Sequence, residues 1–266
     1  DRSHMNIELH GPGRAGGAVV IAAHRAGHRI VGIRGRSEAS VLDLAERVPV
    51  EDGPHDLRIL AVTDDAIVVV DDSLAQGDAL PTVHLSGSVP ISALSSIASN
   101  GAAVGSFHPL QTLPAASVGA DRLPGAWIGV TATGTLRDDL FDLARSLGCN
   151  PFDLRDDVKP LYHAAAASAA NFPLASLALA ERLFDAADVP FAASQPLVEA
   201  IVANAYAMGP ANALTGPIAR GDVGTVARQV AAVADTGERE STAFRHFALG
   251  TAVMADAARE VEDAIE

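Results

Sequence analysis

The sequence predicts an α/β protein: a doubly wound, mainly parallel sheet followed by an all-α C-terminal domain. Three observations carry this expectation. Short apolar runs alternate with helix-patterned ones over residues 5–154, a glycine-rich turn follows the first run, and β-branched runs vanish beyond residue 157. The chain of 266 residues is long enough for two lobes, expected over 5–156 and, wholly helical, over 157–266.

Strands are expected at 6–10, 29–33, 57–62, 82–85, 102–107, 126–131 and 150–154. Between them, 16–26, 40–47, 90–99 and 136–147 read as helices, the first closed by Gly27 and the last by Gly148. In the second lobe a long helix over 160–187 carries Pro173 in its interior, where the missing N–H predicts a kink. A further helix is expected over 195–213. Another begins at Asp222 as N-cap, with Val226, Val230 and Val233 on one face, and a last one runs over 241–265.

Charge and composition narrow the function. With 19 Lys plus Arg against 33 Asp plus Glu, a net charge of −14 argues against nucleic acid or an anionic membrane as partner. The single cysteine, Cys149, has no internal disulfide partner, and nine histidines without paired zinc-ligand spacing predict no metal. A cytoplasmic protein is expected. Residues 1–4, placed before Met5, read as the remnant of a cleaved tag.

Immediately after the first strand stands Gly11-Pro12-Gly13-Arg14-Ala15-Gly16, a G-x-G-x-x-G between strand and helix. Gly11 permits the tight turn, Gly13 admits the pyrophosphate to the backbone, and Gly16 permits close helix packing. The helix N-terminus adds free N–H groups and a positive dipole. At the end of the second strand an NAD-specific site carries a carboxylate; here the chain reads Ile33-Arg34-Gly35-Arg36-Ser37. Two guanidiniums and a hydroxyl suit a 2′-phosphate, so the expected cofactor is NADP(H). Val62, Thr63, Ser86 and Gly87 follow later strands at the same edge, where they line the cofactor or cap helices; for Asp64 and Asp65 capping is the expectation.

Candidates for chemistry cluster in three places. His108 is expected at the same sheet edge, on a loop stiffened by Pro109. Lys159, the chain's only lysine, precedes His163 by four residues on a helix face, with Asn171 eight beyond and alanines between. Ammonium, imidazole and amide around a cavity would suit a carbonyl oxygen accepting a hydride; the other reading is a tight helix contact with Lys159 at the surface. In the turn 214–222, Thr215 and Arg220 are candidates for a substrate carboxylate.

Taken together, the segments Gly11–Gly16, Gly105-Ser106-Phe107-His108-Pro109-Leu110-Gln111-Thr112, Tyr162-His163-Ala164-Ala165-Ala166 and 214–222 resemble a bacterial Rossmann-like family. That family has a helical C-terminal domain of unknown function and lies within the 6-phosphogluconate dehydrogenase-like superfamily. The resemblance implies an oxidoreductase working between a nucleotide lobe and a helical lobe, similar to ketopantoate reductase and pyrroline-5-carboxylate reductase. In the hydroxyacid branch a lysine is followed four residues later by Asn; here Lys159 is followed by His163. The expected reaction is NADP(H)-dependent reduction of a small 2-oxo acid, with 2-dehydropantoate foremost, by a homodimer joined through the helical domain. Catalysis is assigned to Lys159, His163, Asn171 and His108. The rivals are an imine reductase and a non-catalytic NADP(H)-binding sensor.

Overall fold

The computed structural model describes residues 4–266; apart from His4, the expected tag remnant lies outside them. The chain divides into two compact units, 1–167 and 168–266.

The first unit alternates β1 (Asn6–His10), α1 (Arg14–Arg25), β2 (Arg29–Arg34), α2 (Glu38–Arg47), β3 (Leu57–Leu60), α3 (Asp64–Leu74) and β4 (Thr82–His84). It continues with α4 (Ser95–Ser99), β5 (Val104–Leu110), α5 (Ala116–Arg122), β6 (Trp127–Thr131), α6 (Gly134–Ser146) and β7 (Asn150–Asp153), and ends in the first turns of α7 (Lys159–Ala186). The seven strands form one sheet in the order β2-β1-β3-β4-β5-β6-β7, parallel except for the β5–β6 pair. The chain leaves β1 outward to β2 and returns to β3 on its other side. That reversal opens a crevice at the C-terminal ends of β1 and β3, the place where such sheets bind ligands.

The core follows from strand alternation. Ile7 and Leu9 of β1, Ile30 of β2 and Ile59 of β3 are buried with Val19, Val20 and Ile21 of α1. Each such side chain contributes about 1.5–3 kcal/mol when withdrawn from water. Helices α1 and α5 approach closely because both carry glycine at the contact. A Cβ on Gly17 would stand 2.7 Å from Ala116 Cβ, and one on Gly119 2.7 Å from Ala18 Cβ. The expected ends at Gly27 and Gly148 adopt positive φ of 92° and 73°.

Two helices of this unit, α3 and α5, are absent from the sequence expectation. In α3 four β-branched residues in a row, Ile67 to Val70, imitate a strand. Tertiary contacts decide otherwise: Ile67 and Asp71 are buried, while Val68 and Val69 face solvent. Asp71 accepts hydrogen bonds from the Ser96 and Ile97 amides at 2.8 and 3.0 Å, satisfying free donors at the start of α4. A second difference concerns His108 and Pro109, which lie within β5 rather than on a loop after it.

The second unit holds the rest of α7, α8 (Gln195–Met208), α9 (Pro210–Ala213), α10 (Val223–Ala234), α11 (Glu238–Ala255) and α12 (Arg259–Ile265). The expected helix over 195–213 is broken at Gly209, φ 86°, before Pro210, and the expected last helix is broken at Asp256, φ 48°. Asp222 caps α10 as expected, accepting from the Thr225 amide at 3.0 Å. Val226 of α10 packs with Ala248, Ala252, Val261 and Ile265, a small core shared by α10, α11 and α12. By contrast α8 buries none of its residues. Among the described residues no helix is long and apolar enough to cross a membrane.

Candidate active site

The turn after β1 is shaped for close backbone approach. Gly11 takes φ +101°, its N–H donates to the Arg34 carbonyl at 2.8 Å, and a Cβ there would meet the Ala61 carbonyl oxygen at 2.5 Å. A Cβ on Gly16 would stand 2.3 Å from the Gly11 oxygen. Gly13 differs: nothing lies within 4 Å of where its Cβ would be, so its face is open at the start of α1. Closed packing at Gly11 and Gly16 with open space at Gly13 fits a pyrophosphate, whose charge the free N–H groups of α1 would meet. Arg14 and Ala15 form the first turn of α1, and Pro12 lies against Gly35, where a side chain would clash at 2.5 Å.

The two arginines after β2 have different surroundings. Arg34 Nε donates to Glu8 Oε1 at 2.7 Å, and Arg58 Nε to Glu8 Oε2 at 2.9 Å, so Arg34 is partly engaged by a buried carboxylate. Arg36 is exposed, and Ser37 caps α2, its oxygen accepting from the Ser40 amide at 3.2 Å. Val62 and Thr63 follow β3, with Thr63 at the N-cap position of α3 but making no side-chain cap bond. The capping expected of Asp64 is not what its carboxylate does. Its Oδ2 accepts from the Ser88 hydroxyl at 2.7 Å, tying the segment after β4 to α3. Ser86 organises that segment, its oxygen accepting from the Ser88 and Val89 amides at 3.2 and 3.1 Å.

Beside this segment stands a hydrogen-bonded pair: His108 Nδ1 lies 2.7 Å from the Tyr162 hydroxyl, the rings edge to face with centroids 5.4 Å apart. Strand β5 fixes the imidazole, and the first turn of α7 brings the phenol to it. Gly87 makes room, since a Cβ there would fall 2.7 Å from His108 Nε2. Burial, helped by the nearby His163 and Lys159, pushes the His108 pKa down to about 4, so the ring is neutral at pH 7. Burial pushes the Tyr162 hydroxyl up to about 12. His163, with its ring centroid 6.5 Å from that of His108, is exposed.

Lys159 is fully buried. Its ammonium donates to the Val89 carbonyl at 2.8 Å and pairs with Asp156 Oδ1 at 2.9 Å, and burial lowers its pKa against the opposing pull of Asp156. In the second unit, Asn171 is exposed on α7, and Thr215 and Arg220 are exposed in the turn before α10. Sequence reasoning brought Lys159, His163 and His108 into consideration but gave no role to Tyr162 or Asp156. Tyr162 is one of only two tyrosines, three residues beyond the only lysine, and that rarity was the available signal.

Comparison with known proteins adds a fold and a match to a family model over part of the chain. Residues 126–251 match the model of a domain of unknown function, DUF2520. No curated protein matches the chain. Among solved structures, a candidate NADP oxidoreductase from Bacteroides fragilis is 22% identical with a TM-score of 0.77, covering 99% of this chain and 100% of that one. A protein from Thermotoga maritima is 21% identical with a TM-score of 0.70, covering 94% and 98%. An imine reductase from Streptomyces aurantiacus is 17% identical with a TM-score of 0.68, covering 98% and 99%. At these identities the likeness establishes the fold over nearly the full length. The chain thus has a Rossmann-like fold with a helical C-terminal part, and its residues 126–251 resemble the DUF2520 domain.

Proposed function

We propose that the protein is an NADP(H)-dependent oxidoreductase that reduces a small carbonyl compound, with 2-dehydropantoate the first substrate to assay. The observation that carries the chemistry is the neutral His108–Tyr162 pair, 2.7 Å apart at the sheet edge. The neighbouring fold includes a candidate NADP oxidoreductase, which supports the cofactor assignment alongside Gly11, Gly13, Gly16 and Arg36. When bound, NADPH supplies the hydride. Gly13 and the first N–H groups of α1 hold the pyrophosphate, while Arg36, exposed beside the end of β2, meets the 2′-phosphate with a share from Arg34 and Ser37.

Reduction of a ketone makes an alkoxide that needs a proton. Tyr162 donates its O–H, and His108, with the proton on Nδ1, donates to the phenol oxygen as negative charge forms there. Both groups stay in the required protonation state around pH 7, because burial holds His108 neutral and the phenol protonated. Tyr162 is reprotonated from solvent. Exposed His163 is proposed to assist Tyr162.

A second reading is favoured by the burial of Lys159. With the only ammonium enclosed, the pair His108–Tyr162 offers neutral donors, which suits an imine already protonated before hydride arrives. The imine reductase among the structural neighbours belongs to that class. The test is NADPH oxidation with 2-dehydropantoate and with pyrroline-5-carboxylate, on the native protein and on Tyr162→Phe. Ketone reduction requires the phenol, so turnover falls about 10²-fold or more; imine reduction does not. NADPH binding without turnover of either compound would support a cofactor sensor instead.

We further propose a homodimer through the second unit. Phe172 and Leu174 of α7 and Leu197 and Tyr206 of α8 are all more than half exposed, and a second copy packed on these helices would withdraw them from water.

A further inference from the structure

We infer that Lys159 and Asp156 form a positioning clamp, which fastens the segment after β4 to the first turn of α7 and so sets His108 against Tyr162. Four contacts close it. Lys159 Nζ donates to the Val89 carbonyl at 2.8 Å and pairs with Asp156 Oδ1 at 2.9 Å, while the Ile91 amide donates to both Asp156 oxygens at 3.0 and 3.2 Å. Val89 and Ile91 are two residues apart on one segment, and Asp156 and Lys159 stand together at the start of α7. The clamp therefore joins two pieces of chain some seventy residues apart by a ring of charge-assisted bonds.

Both jaws bear on the proton-transfer pair. On one side the segment carries Gly87, whose missing side chain leaves the space that the His108 ring fills, a Cβ there falling 2.7 Å from Nε2. On the other side Tyr162 stands one helical turn beyond Lys159 and reaches His108 Nδ1 at 2.7 Å. Displacing the segment would move one wall of the imidazole's niche; displacing the start of α7 would move its partner. The ammonium itself has no exposed surface and is held by a carbonyl and a carboxylate. Freeing it to face a substrate would break its bonds to Asp156 and to the Val89 carbonyl. In this arrangement Lys159 is a positioning residue, and Tyr162 supplies the proton.

The clamp is independent of the proposed reaction; only its consequence for turnover rests on that reading. The test compares Asp156→Ala, the isosteric Asp156→Asn and Lys159→Met with the native protein in three measurements: amide hydrogen exchange at Val89 and Ile91, the NMR titration of the His108 ring, and NADPH turnover. In Asp156→Ala the Ile91 amide exchanges at least tenfold faster, and the His108 midpoint rises from about 4 towards 6.5 as water enters its niche. Lys159→Met shows the same faster exchange, while its His108 midpoint rises in any case because the Lys159 charge itself lowers it, and Asp156→Asn shows a smaller change in exchange and titration in the same direction as Asp156→Ala. Turnover falls in step with them while NADPH affinity holds, because the glycine turn is untouched. Unchanged exchange and titration in Asp156→Ala and Asp156→Asn would overturn the clamp. So would Lys159→Met that loses turnover while Ile91 exchange stays native, since Lys159 would then act on the substrate and not on the position of the pair. If the native protein turns over no substrate, the proposed function fails while exchange and titration still decide the clamp.

Discussion

His108 and Tyr162 make a prediction that no exposed histidine would make. A free imidazole changes charge near 6.5, whereas burial holds His108 down to about 4 and the Tyr162 phenol up to about 12. The pH profile of kcat for carbonyl reduction is therefore expected to run flat from about 5 to 9, and a break near 6.5 would take His108 out of the pair. At Glu8 the prediction concerns stability. Burial raises its pKa, but hydrogen bonds from His10, Arg34 and Arg58 outweigh that and leave the carboxyl well below its usual 4.5. A depressed carboxyl contributes stability in full above the unfolded value, and the contribution is lost as pH falls through the folded value. Glu8→Gln should thus flatten the loss of stability below pH 4.5, and it should cost about 3–5 kcal/mol at pH 7 by stranding buried Arg58, as chemical denaturation would read. Lys159 was legible as unusual because it is the only lysine, yet its partner was not. The Val89 carbonyl is a backbone atom seventy residues away, and no side-chain pattern announces it.

At the scale of elements, the strands were legible because a buried parallel sheet writes itself as short apolar runs. All seven expected strands are present, with edges displaced by up to three residues. The helices that escaped did so for opposite reasons. In α3 the run Ile67 to Val70 carries strand propensity that tertiary burial overrides, and α5 is short, with Gly119 weakening its helical signal while serving the contact with α1. That contact and the turn before it suggest a direct test of the glycine logic. Replacing Gly16 by Ala places a Cβ 2.3 Å from the Gly11 carbonyl oxygen and 2.7 Å from Ala61 Cβ, both unable to yield cheaply. Gly16→Ala is expected to lose about 1–3 kcal/mol from strain, more than the gain in helix propensity, and to weaken NADPH binding as the turn shifts. Gly13→Ala meets nothing in the free protein, so its thermal midpoint should hold while its NADPH affinity falls. Equal affinities for Gly13→Ala and native protein would remove the pyrophosphate from that turn.

Across the whole molecule, the two units differ in how completely each buries its apolar residues. The sheet of the first has a continuous core, whereas α8 of the second buries no residue and leaves Leu197 and Tyr206 largely exposed. The periodic apolar faces that predicted these helices could not say what covers them, since periodicity identifies a face and not its partner. Light scattering after size-exclusion chromatography is expected to give twice the chain mass of 27.3 kDa, and Leu197→Glu to return the protein to monomer; a monomeric native protein would refute the dimer. The proposed function turns on proton donation by Tyr162 in NADPH-dependent carbonyl reduction. Its most direct test is stopped-flow NADPH oxidation with 2-dehydropantoate by native protein and by Tyr162→Phe at equal cofactor saturation. The native protein is expected to oxidise NADPH, and the variant to lose about 10²-fold or more in kcat at unchanged NADPH affinity. Equal rates in the two proteins would take Tyr162 out of the proton transfer.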